Sequence, residues 1–379
     1  MTNKPPLDPV TTTMFISTFI VAAIGVPAYA LLEGFHWSAW LGFALVLGAN
    51  GMSITMGYHR LWAHNSYKTH PVIKWMLALF GAAALQNSIL IWASGHRTHH
   101  RHVDHHDKDP YSASRGLWYS HIGWMLRRYP SGEPDFSNAA DLQRDKIVMW
   151  QHNHYGSIAL AMNFIPALLL GWITGDWVAN LLLAGVLRLV VSHHTTFFIN
   201  SLAHFWGRRP YTQENSARDN DILALFTYGE GYHNFHHIFQ NDYRNGVRWW
   251  QFDPTKWSIA ILSWMGLAKD LRRTPNFKIR EAMVSQQLKL AEAKLGATQQ
   301  AAEWKAYIDS EYQEFLVTLE RWKQLQESWY ENKRSSLSEA KLQLQSKWEQ
   351  KAFKTRFKEL EYALKLQQQR LQLLNMQLA

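Results

Sequence analysis

Residues 92–100, WASGHRTHH, place three histidines directly after an apolar run. His96, His99 and His100 are spaced i, i+3 and i+4, so on a helix all three imidazoles share one face. A neutral imidazole is the commonest metal ligand among protein side chains, because its lone pair is available without a charge. The stretch therefore predicts a metal site at the end of an apolar helix.

Two other histidine clusters belong with this one, HRLWAH at 59–64 and HNFHH at 233–237. Only the second repeats the HxxHH spacing. His59 and His64 are separated by about 140° and ~7.5 Å on a regular helix, so we expect them to reach two neighbouring ions rather than one. Eight clustered histidines are too many for one ion and suit two. The sequence predicts a dimetal site.

A ninth histidine is added from the end of the last apolar run. His204 follows Asn200 by four residues, which puts both on one helix face. The other histidines are interpreted mainly as solvated or interfacial: His102, His105, His106, His121, His152, His154, His193 and His194.

Four apolar runs are long enough to cross a bilayer, at about 12–32, 37–58, 158–175 and 177–203. A fifth run, 71–94, is also long enough. If it crossed, the clusters at 59–64 and 96–100 would lie on opposite sides of the membrane. It also carries Lys74, Gln86 and Asn87, which are costly in lipid. We therefore expect 71–94 to be interfacial or packed inside the protein.

The remaining four spans form two hairpins, with both termini and all clusters on one side. Basic residues mark that side as cytoplasmic: Arg97, Arg101, Lys108, Arg127, Arg128, Arg208 and Arg209. The net charge of +9 suits an anionic leaflet. Since no basic and aromatic recognition module is visible, a nucleic-acid partner is not expected.

The fold class predicted is an all-α integral membrane protein with a cytosolic helical cap over the dimetal site. Residues 1–275 form its membrane domain. Residues 276–379 form a C-terminal helical extension, because apolar positions such as Leu316, Leu319 and Trp322 recur at helical spacing. The extension is expected to pack on itself, on a partner chain or on the membrane surface. Cys is absent, so thiolate metal sites are excluded from this sequence.

Beyond these patterns, residues 10–275 resemble a membrane fatty-acid desaturase of the stearoyl-CoA (Δ9) type, in particular its bacterial members. The resemblance rests on Asp109-Pro110, Arg115-Gly116 and these sequence motifs: GYHRLWAH (57–64), GHRTHHRH (95–102), SHIGWML (120–126), NSLAHFWGRRPY (200–211) and GEGYHNFHH (229–237). Related membrane hydroxylases share the histidine clusters but not the sequence motifs between the clusters.

The resemblance implies a centre of two iron ions with O2 as co-substrate and no catalytic residue beyond the metal ligands. The implied ligands are His59, His64, His96, His99, His100, His204, His233, His236 and His237, with Asn200 acting through a water. Gln86, Trp92 and Thr196 match positions that bend the acyl chain at the reacting carbons.

Several alternatives stay open at this point. Ser94-Gly95 stand where animal members have Arg-Asp, so the acyl chain is expected on either CoA or a membrane lipid. Electrons are expected from a ferredoxin-like carrier with a flavoprotein reductase, and the location is a bacterial cytoplasmic membrane. A diiron hydroxylase on the same scaffold is the alternative enzyme. A non-catalytic metal-binding membrane protein is the alternative from another class.

Overall fold

The computed structural model describes residues 4–294, 299–335 and 343–377. The chain divides into two compact units. The membrane unit comprises Met1–Arg209 with Glu214–Arg273, and the tail unit comprises Pro210–Gln213 with Thr274–Ala379. The assignment of 1–275 as a desaturase domain and 276–379 as its extension stays a prediction.

Within the described residues, four helices are long and apolar enough to cross a membrane: Pro9–Leu32, Trp37–Ala63, Tyr155–Thr174 and Trp177–Phe205. We call them the first to fourth spans. Leu31, Trp172 and Ile173 each expose 70% or more of their surface, as expected where side chains face lipid rather than a core. The predicted all-α membrane fold with four spans is confirmed.

Local sequence determines where the spans begin and turn. Asp8 caps the first span, since its carboxylate accepts a hydrogen bond from the backbone N–H of Thr11 at 2.9 Å. Gly175 ends the third span with a φ of 78°, a left-handed conformation that glycine adopts without strain. Asp176 then caps the fourth span and accepts a hydrogen bond from Tyr29 at 2.9 Å. The first and fourth spans are thereby joined at one end.

Three segments of the spans are π-helical, Val21–Gly25, Ser53–Ala63 and Leu181–Leu187. The second of these carries a histidine cluster.

The apolar run 71–94 is not one helix. Helix Pro71–Ala82 ends in a turn, and a new helix, Ile89–His102, begins at the Ser88 cap. Leu85 and Asn87 between them have φ values of 51° and 73°, which non-glycine residues rarely adopt. The run is therefore two helices joined by a turn, and the histidines lie at the far end of the second helix.

The rest of the membrane unit is short helices and one small sheet. Strands Lys68–Thr69 and Ala268–Lys269 pair antiparallel. The α-helices are Leu117–His121, Ala140–Gln143, Lys146–Asn153, Asp221–Phe226, His233–Ile238 and Pro254–Trp264; the 3-10 turns are Ala113–Arg115, Gly123–Met125, Pro130–Gly132 and Phe136–Asn138. These elements form a cap beside Ser53–Ala63 and Ile89–His102.

The described part of the tail unit contains helices Asn276–Lys294, Gln299–Ser335 and Gln343–Gln377. They pack on one another through a core that contains Val284, Leu288, Ala291, Phe315, Leu319, Trp322 and Leu364. An ion pair of 3.0 Å joins Arg280 to Glu361. Of the three expected arrangements, the described helices show packing of the tail on itself.

Candidate metal centre

Nine histidines converge in the membrane unit as two groups, and in each group the candidate ligand atoms lie within 4.8 Å of one another. The first group is His59, His64, His96, His100 and His236; the second group is His99, His204, His233 and His237. All nine predicted histidines are brought together. Each group can hold a metal ion.

The nitrogens within each group are close enough to share an ion. In the first group, the Nε2 atoms of His64 and His96 are 2.9 Å apart, and those of His59 and His236 are 3.0 Å apart. In the second group, His233 Nε2 lies 3.1 Å from that of His204. Imidazole nitrogens about 2.1 Å from one ion, at right angles to each other, would be ~3 Å apart. The donor sets therefore fit metal ions.

Each helical cluster contributes to both groups because neighbouring positions diverge around a helix. On Ile89–His102, His96 and His100 are four apart and join the first group, whereas His99 turns to the second. On His233–Ile238, His233 and His237 are four apart and join the second group, whereas His236 joins the first. The groups meet where the rings of His100 and His237 stack, with centroids 4.3 Å apart. This interleaving supports two adjacent ions.

The expectation that His59 and His64 would serve different ions is wrong. Both belong to the first group, and their ring centroids are 4.7 Å apart. The reason is the π-helical turn: His64 N–H donates to the carbonyl of His59 at 3.0 Å, an i to i−5 hydrogen bond. A π turn places residues five apart nearly above one another, and such turns are frequent at functional sites. Regular α-helical geometry does not apply here.

Carboxylates determine the tautomers of two of these rings, and hydroxyl oxygens face two more. Asp109 Oδ1 lies 2.8 Å from Nδ1 of His99, and Glu230 Oε2 lies 2.9 Å from Nδ1 of His59. A carboxylate only accepts, so Nδ1–H of His99 donates to Asp109. The negative charge of Glu230 favours a hydrogen on Nδ1 of His59. Nε2 of both rings therefore keeps its lone pair. Oxygens also face Nδ1 of two further rings: Tyr111 OH at 3.0 Å from His96, and Ser216 Oγ at 2.7 Å from His204. In all four rings the Nε2 atom lies next to the Nε2 atom of another histidine.

Burial favours the neutral form of six of these histidines. Burial, and then the charges that neighbouring imidazoles would carry, lowers the pKa of six of them well below the ordinary value: His64, His96, His100, His233, His236 and His237. A metal ion needs deprotonated nitrogen. The site is therefore prepared for a cation at neutral pH.

A buried ionic network supports the first group from behind. Arg60 donates to Glu230 at 2.9 Å and to Asp253 at 3.1 Å. Asn245 donates to the other oxygen of Glu230 at 2.6 Å. Burial opposes ionisation of Glu230, but the contacts with the imidazole of His59 and the guanidinium of Arg60 outweigh it and lower its pKa. The carboxylate is ionised, and it ties His59 to a fixed frame.

A cavity of about 820 Å³ reaches the histidines from one side. Its lining includes three of the histidines, His59, His96 and His233. It also includes Asn200 and the three predicted substrate residues, Gln86, Trp92 and Thr196. Gln86 donates to Thr196 at 3.1 Å and accepts from the Trp92 indole at 3.2 Å. The Trp92 ring stacks on His96, with centroids 4.9 Å apart. One hydrogen-bonded group thus connects the cavity wall to the metal ligands.

The cavity also has a basic and polar part. Lys108, Arg127 and Arg128 line it together with the segment 129–135. The Ser94 hydroxyl lies within hydrogen-bond distance of two acceptors, Asn138 Oδ1 at 2.9 Å and the Asp135 carbonyl. A side chain at Gly95 would enter open space, and Gly95 itself lines the cavity. The Ser94-Gly95 pair therefore ties down one side of the cavity and leaves room on the other.

Residue spacing did not reveal the second partners. Asp109, Tyr111, Ser216 and Glu230 were not predicted as site residues, although Asp109 and Glu230 lie inside the words quoted for the family resemblance. His193 was interpreted as solvated or interfacial, and this is wrong. It is buried and lines the cavity, since the fourth span turns that face toward the protein rather than the lipid.

Comparison with known proteins agrees with this geometry. Residues 35–260 match the model of the fatty acid desaturase family. The chain is 47% identical over 250 residues to a probable acyl-CoA desaturase of Schizosaccharomyces pombe, covering 65% of this chain and 52% of that protein. It is 42% identical over 277 residues to acyl-CoA desaturase 1 of Saccharomyces cerevisiae, covering 71% and 54%.

A third relative is the sn-2 palmitoyl-lipid 9-desaturase of a Nostoc species, 38% identical over 260 residues, which cover 65% of this chain and 87% of that protein. The chain thus spans about half the length of the two yeast relatives. Relatives named for CoA-linked and for lipid-linked substrates both match.

Proposed function

The chain belongs to the fatty acid desaturase family, and from that premise we propose that it introduces a cis double bond, at carbon 9, into a saturated fatty acyl chain with consumption of O2. The observation that carries the proposal is the arrangement of nine buried histidine nitrogens in two groups at one cavity. Three of these histidines, His59, His96 and His233, line the cavity that would hold the acyl chain.

We propose two iron ions as the cofactor, one per histidine group. The donor set consists of neutral nitrogens, which suits Fe²⁺. When bound, the two irons would supply the redox chemistry needed to remove hydrogen from an unactivated methylene, which no side chain can do. The family resemblance supports iron. The two groups of histidine nitrogens support two metal sites, whichever metal is bound.

The reaction balances with an external electron donor. Two adjacent C–H bonds break and one C=C bond forms, which releases two electrons and two protons. Two further electrons and two protons reduce O2 to two waters. The sequence contains no Cys, so the electrons are assigned to a ferredoxin-like carrier with a flavoprotein reductase. A basic face would attract an acidic carrier.

The chain's own residues would position the substrate. The hydrogen-bonded group of Gln86, Trp92 and Thr196 would hold the acyl chain in a bent pose, with the reacting carbons beside His96. Fixing one pose converts a chemically uniform chain into one with a single reactive pair of carbons. Glu230 and Asp109 would keep the imidazoles of His59 and His99 in the tautomer that exposes Nε2.

The head group is proposed to be anionic, on CoA or on a membrane lipid. Lys108, Arg127 and Arg128 at the cavity support this, because basic side chains pair with phosphate. We place the protein in a bacterial cytoplasmic membrane, with both termini and the metal centre on the cytoplasmic side. The basic residues of that side support the orientation.

The test is gas chromatography–mass spectrometry of fatty acids from cells that express the chain together with an electron donor. We expect a new cis-9 monoene that disappears with His96→Ala and persists with His105→Ala, an exposed histidine outside both groups. Hydroxylated acids would replace the proposal with a hydroxylase. Metal-loaded protein that forms no product would indicate a non-catalytic metal-binding protein.

A further inference from the structure

The turn between the two helices of the run 71–94 forms part of the cavity wall. We call residues 83–88 the bend loop. Its Leu85, Gln86 and Asn87 line the cavity, and two of them have positive φ values. Such a conformation persists only where surrounding contacts hold it in place. The contacts that hold the bend loop therefore determine where Gln86 lies.

Two side chains of the fourth span hold the beginning of the loop. Arg188 donates from Nη1 to the carbonyl of Ala83 at 2.8 Å. One helical turn further on, His193 lies with Nε2 at 2.7 Å from the carbonyl of Ala84. A carbonyl only accepts, so His193 donates. These are the free carbonyls at the end of helix Pro71–Ala82, which need donors when buried.

Arg188 has no obvious role other than this. It lies about 17 Å along the fourth span from Trp177, close to the middle of a bilayer, and is fully buried. Its other hydrogen bonds go to the carbonyl of Ala184 at 3.1 Å and to Asn163 Oδ1 at 2.9 Å. All three acceptors are neutral oxygens. An arginine is costly at this depth, and such residues usually serve function.

His193 contributes to the wall as well as to the hydrogen bond. Its ring lies parallel to that of Phe197 at 5.5 Å and edge-on to Phe15 at 5.2 Å. All three line the cavity. The fourth span therefore presents, on one face, two donors to the bend loop and Thr196, which bonds Gln86.

Resting on the proposed desaturase function, we propose that Arg188 and His193 are positioning residues that select which carbons react. They clamp the start of the bend loop to the fourth span, so that Gln86 and Thr196 meet at one fixed point of the acyl channel. Without the clamp the loop would occupy several positions, and the chain would bend at several places. The double bond would then form at neighbouring carbons as well.

The experiment compares Arg188→Met, Arg188→Lys and His193→Phe with the wild type. Arg188→Met removes the guanidinium donors, and Arg188→Lys keeps a positive charge on a shorter side chain. His193→Phe keeps an aromatic ring but removes the N–H donor. The control is Asn180→Ala. Asn180 is also buried in the fourth span and bonds Thr174 and Asp176, but it does not touch the bend loop. Double-bond positions are read by mass spectrometry of adducts across the double bond.

We expect the ratio of neighbouring isomers to the main isomer to rise about tenfold or more with Arg188→Met, because one charged hydrogen bond controls an equilibrium by at least such a factor. His193→Phe should shift it in the same direction, and Arg188→Lys should lie between Met and wild type. Asn180→Ala should keep the wild-type ratio even if its stability falls. Wild-type ratios in both Arg188→Met and His193→Phe would overturn the inference. If Arg188→Met does not accumulate, the isomer ratios of Arg188→Lys and His193→Phe test the inference: raised ratios support it, and wild-type ratios in both overturn it.

A second readout separates this inference from the proposed function. Hydrogen–deuterium exchange of the purified protein should speed up within residues 83–88 in Arg188→Met and His193→Phe, but not in Asn180→Ala. If the wild type forms no monoene, the proposed function fails, and this exchange still tests the clamp. Unchanged exchange in both variants would show that the loop does not depend on these donors.

Discussion

The most informative single substitution is Glu230→Gln, because it changes one charge without changing size. Glu230 accepts hydrogen bonds from Arg60 through one oxygen and from Asn245 through the other, and that second oxygen also lies 2.9 Å from Nδ1 of His59. A glutamine has a single acceptor oxygen. If that oxygen faces Arg60, its NH2 group faces His59 and Asn245.

The new NH2 group would then reverse the tautomer of His59. An amide NH2 can only donate, so it favours a lone pair on Nδ1 and a hydrogen on Nε2. Nε2 with a hydrogen cannot bind a metal ion. Loss of such a partner typically costs 10–100-fold in metal affinity, about 1.4–2.8 kcal/mol. Since Arg60 keeps Asp253 and the carbonyl of Tyr243 as partners, we expect the lower end of the usual buried-pair penalty, about 3 kcal/mol of unfolding free energy.

The assay is a metal titration of the purified protein against a competing chelator, with a thermal unfolding scan on the same samples. Weaker binding should affect one ion of the two, because His59 belongs to the first group only. Glu33→Gln, an exposed carboxylate between the first two spans, is the matched control and should change neither property. Wild-type affinity for both ions in Glu230→Gln would refute the reasoning.

Three further outcomes are expected. Burial raises the pKa of Asp219 to about 7, above an unfolded value of about 3.9. Between these two values the native state keeps a proton that the unfolded state has lost. The stability of the native state therefore falls as pH rises from about 4 to 7. The Tm of Asp219→Asn minus that of the wild type should therefore increase between pH 5 and pH 8, and a constant difference would contradict the assignment. Removing metal with a chelator should lower the Tm and added Fe²⁺ should restore it, whereas equal Tm values would argue against metal in the fold. Asp109→Asn should weaken metal binding about 10–100-fold, measured by the same titration, while Asp107→Asn, on an exposed loop, should leave it unchanged.

Histidine spacing in the sequence was sufficient to predict the two-group site. His96, His99 and His100 lie on one helix as predicted, although His99 belongs to the second group. Counting membrane crossings predicted that all clusters lie on one side. The same reasoning failed at His59 and His64, because it assumed a regular helix. Apolar periodicity does not distinguish an α-turn from the π-turn at Ser53–Ala63, since both bury similar side chains.

Contacts between distant parts of the chain could not be read from the sequence. Glu230 reaches His59 across 171 positions of sequence, and Arg188 reaches Ala83 across 105. Neither partner repeats at a helical interval, so no local pattern indicates the pair. The break at 83–88 was also missed as a break, because the apolar residues on both sides read as one run. The polar residues Lys74, Gln86 and Asn87, and the need to keep the histidine clusters on one side, indicated only that the run does not cross the membrane.

The central claim is that these nine histidines would hold two metal ions, which when bound would supply the redox chemistry that removes two hydrogens from one acyl chain. It is tested most directly by a single turnover of purified protein loaded with iron and reduced anaerobically, then mixed with O2 and a saturated acyl substrate, without any carrier protein. Two ferrous ions hold two electrons, which together with the two from the substrate reduce one O2 to water. We predict one cis double bond for every two irons bound. A protein that binds two irons and forms no double bond, or whose yield follows one iron per product, would contradict the account.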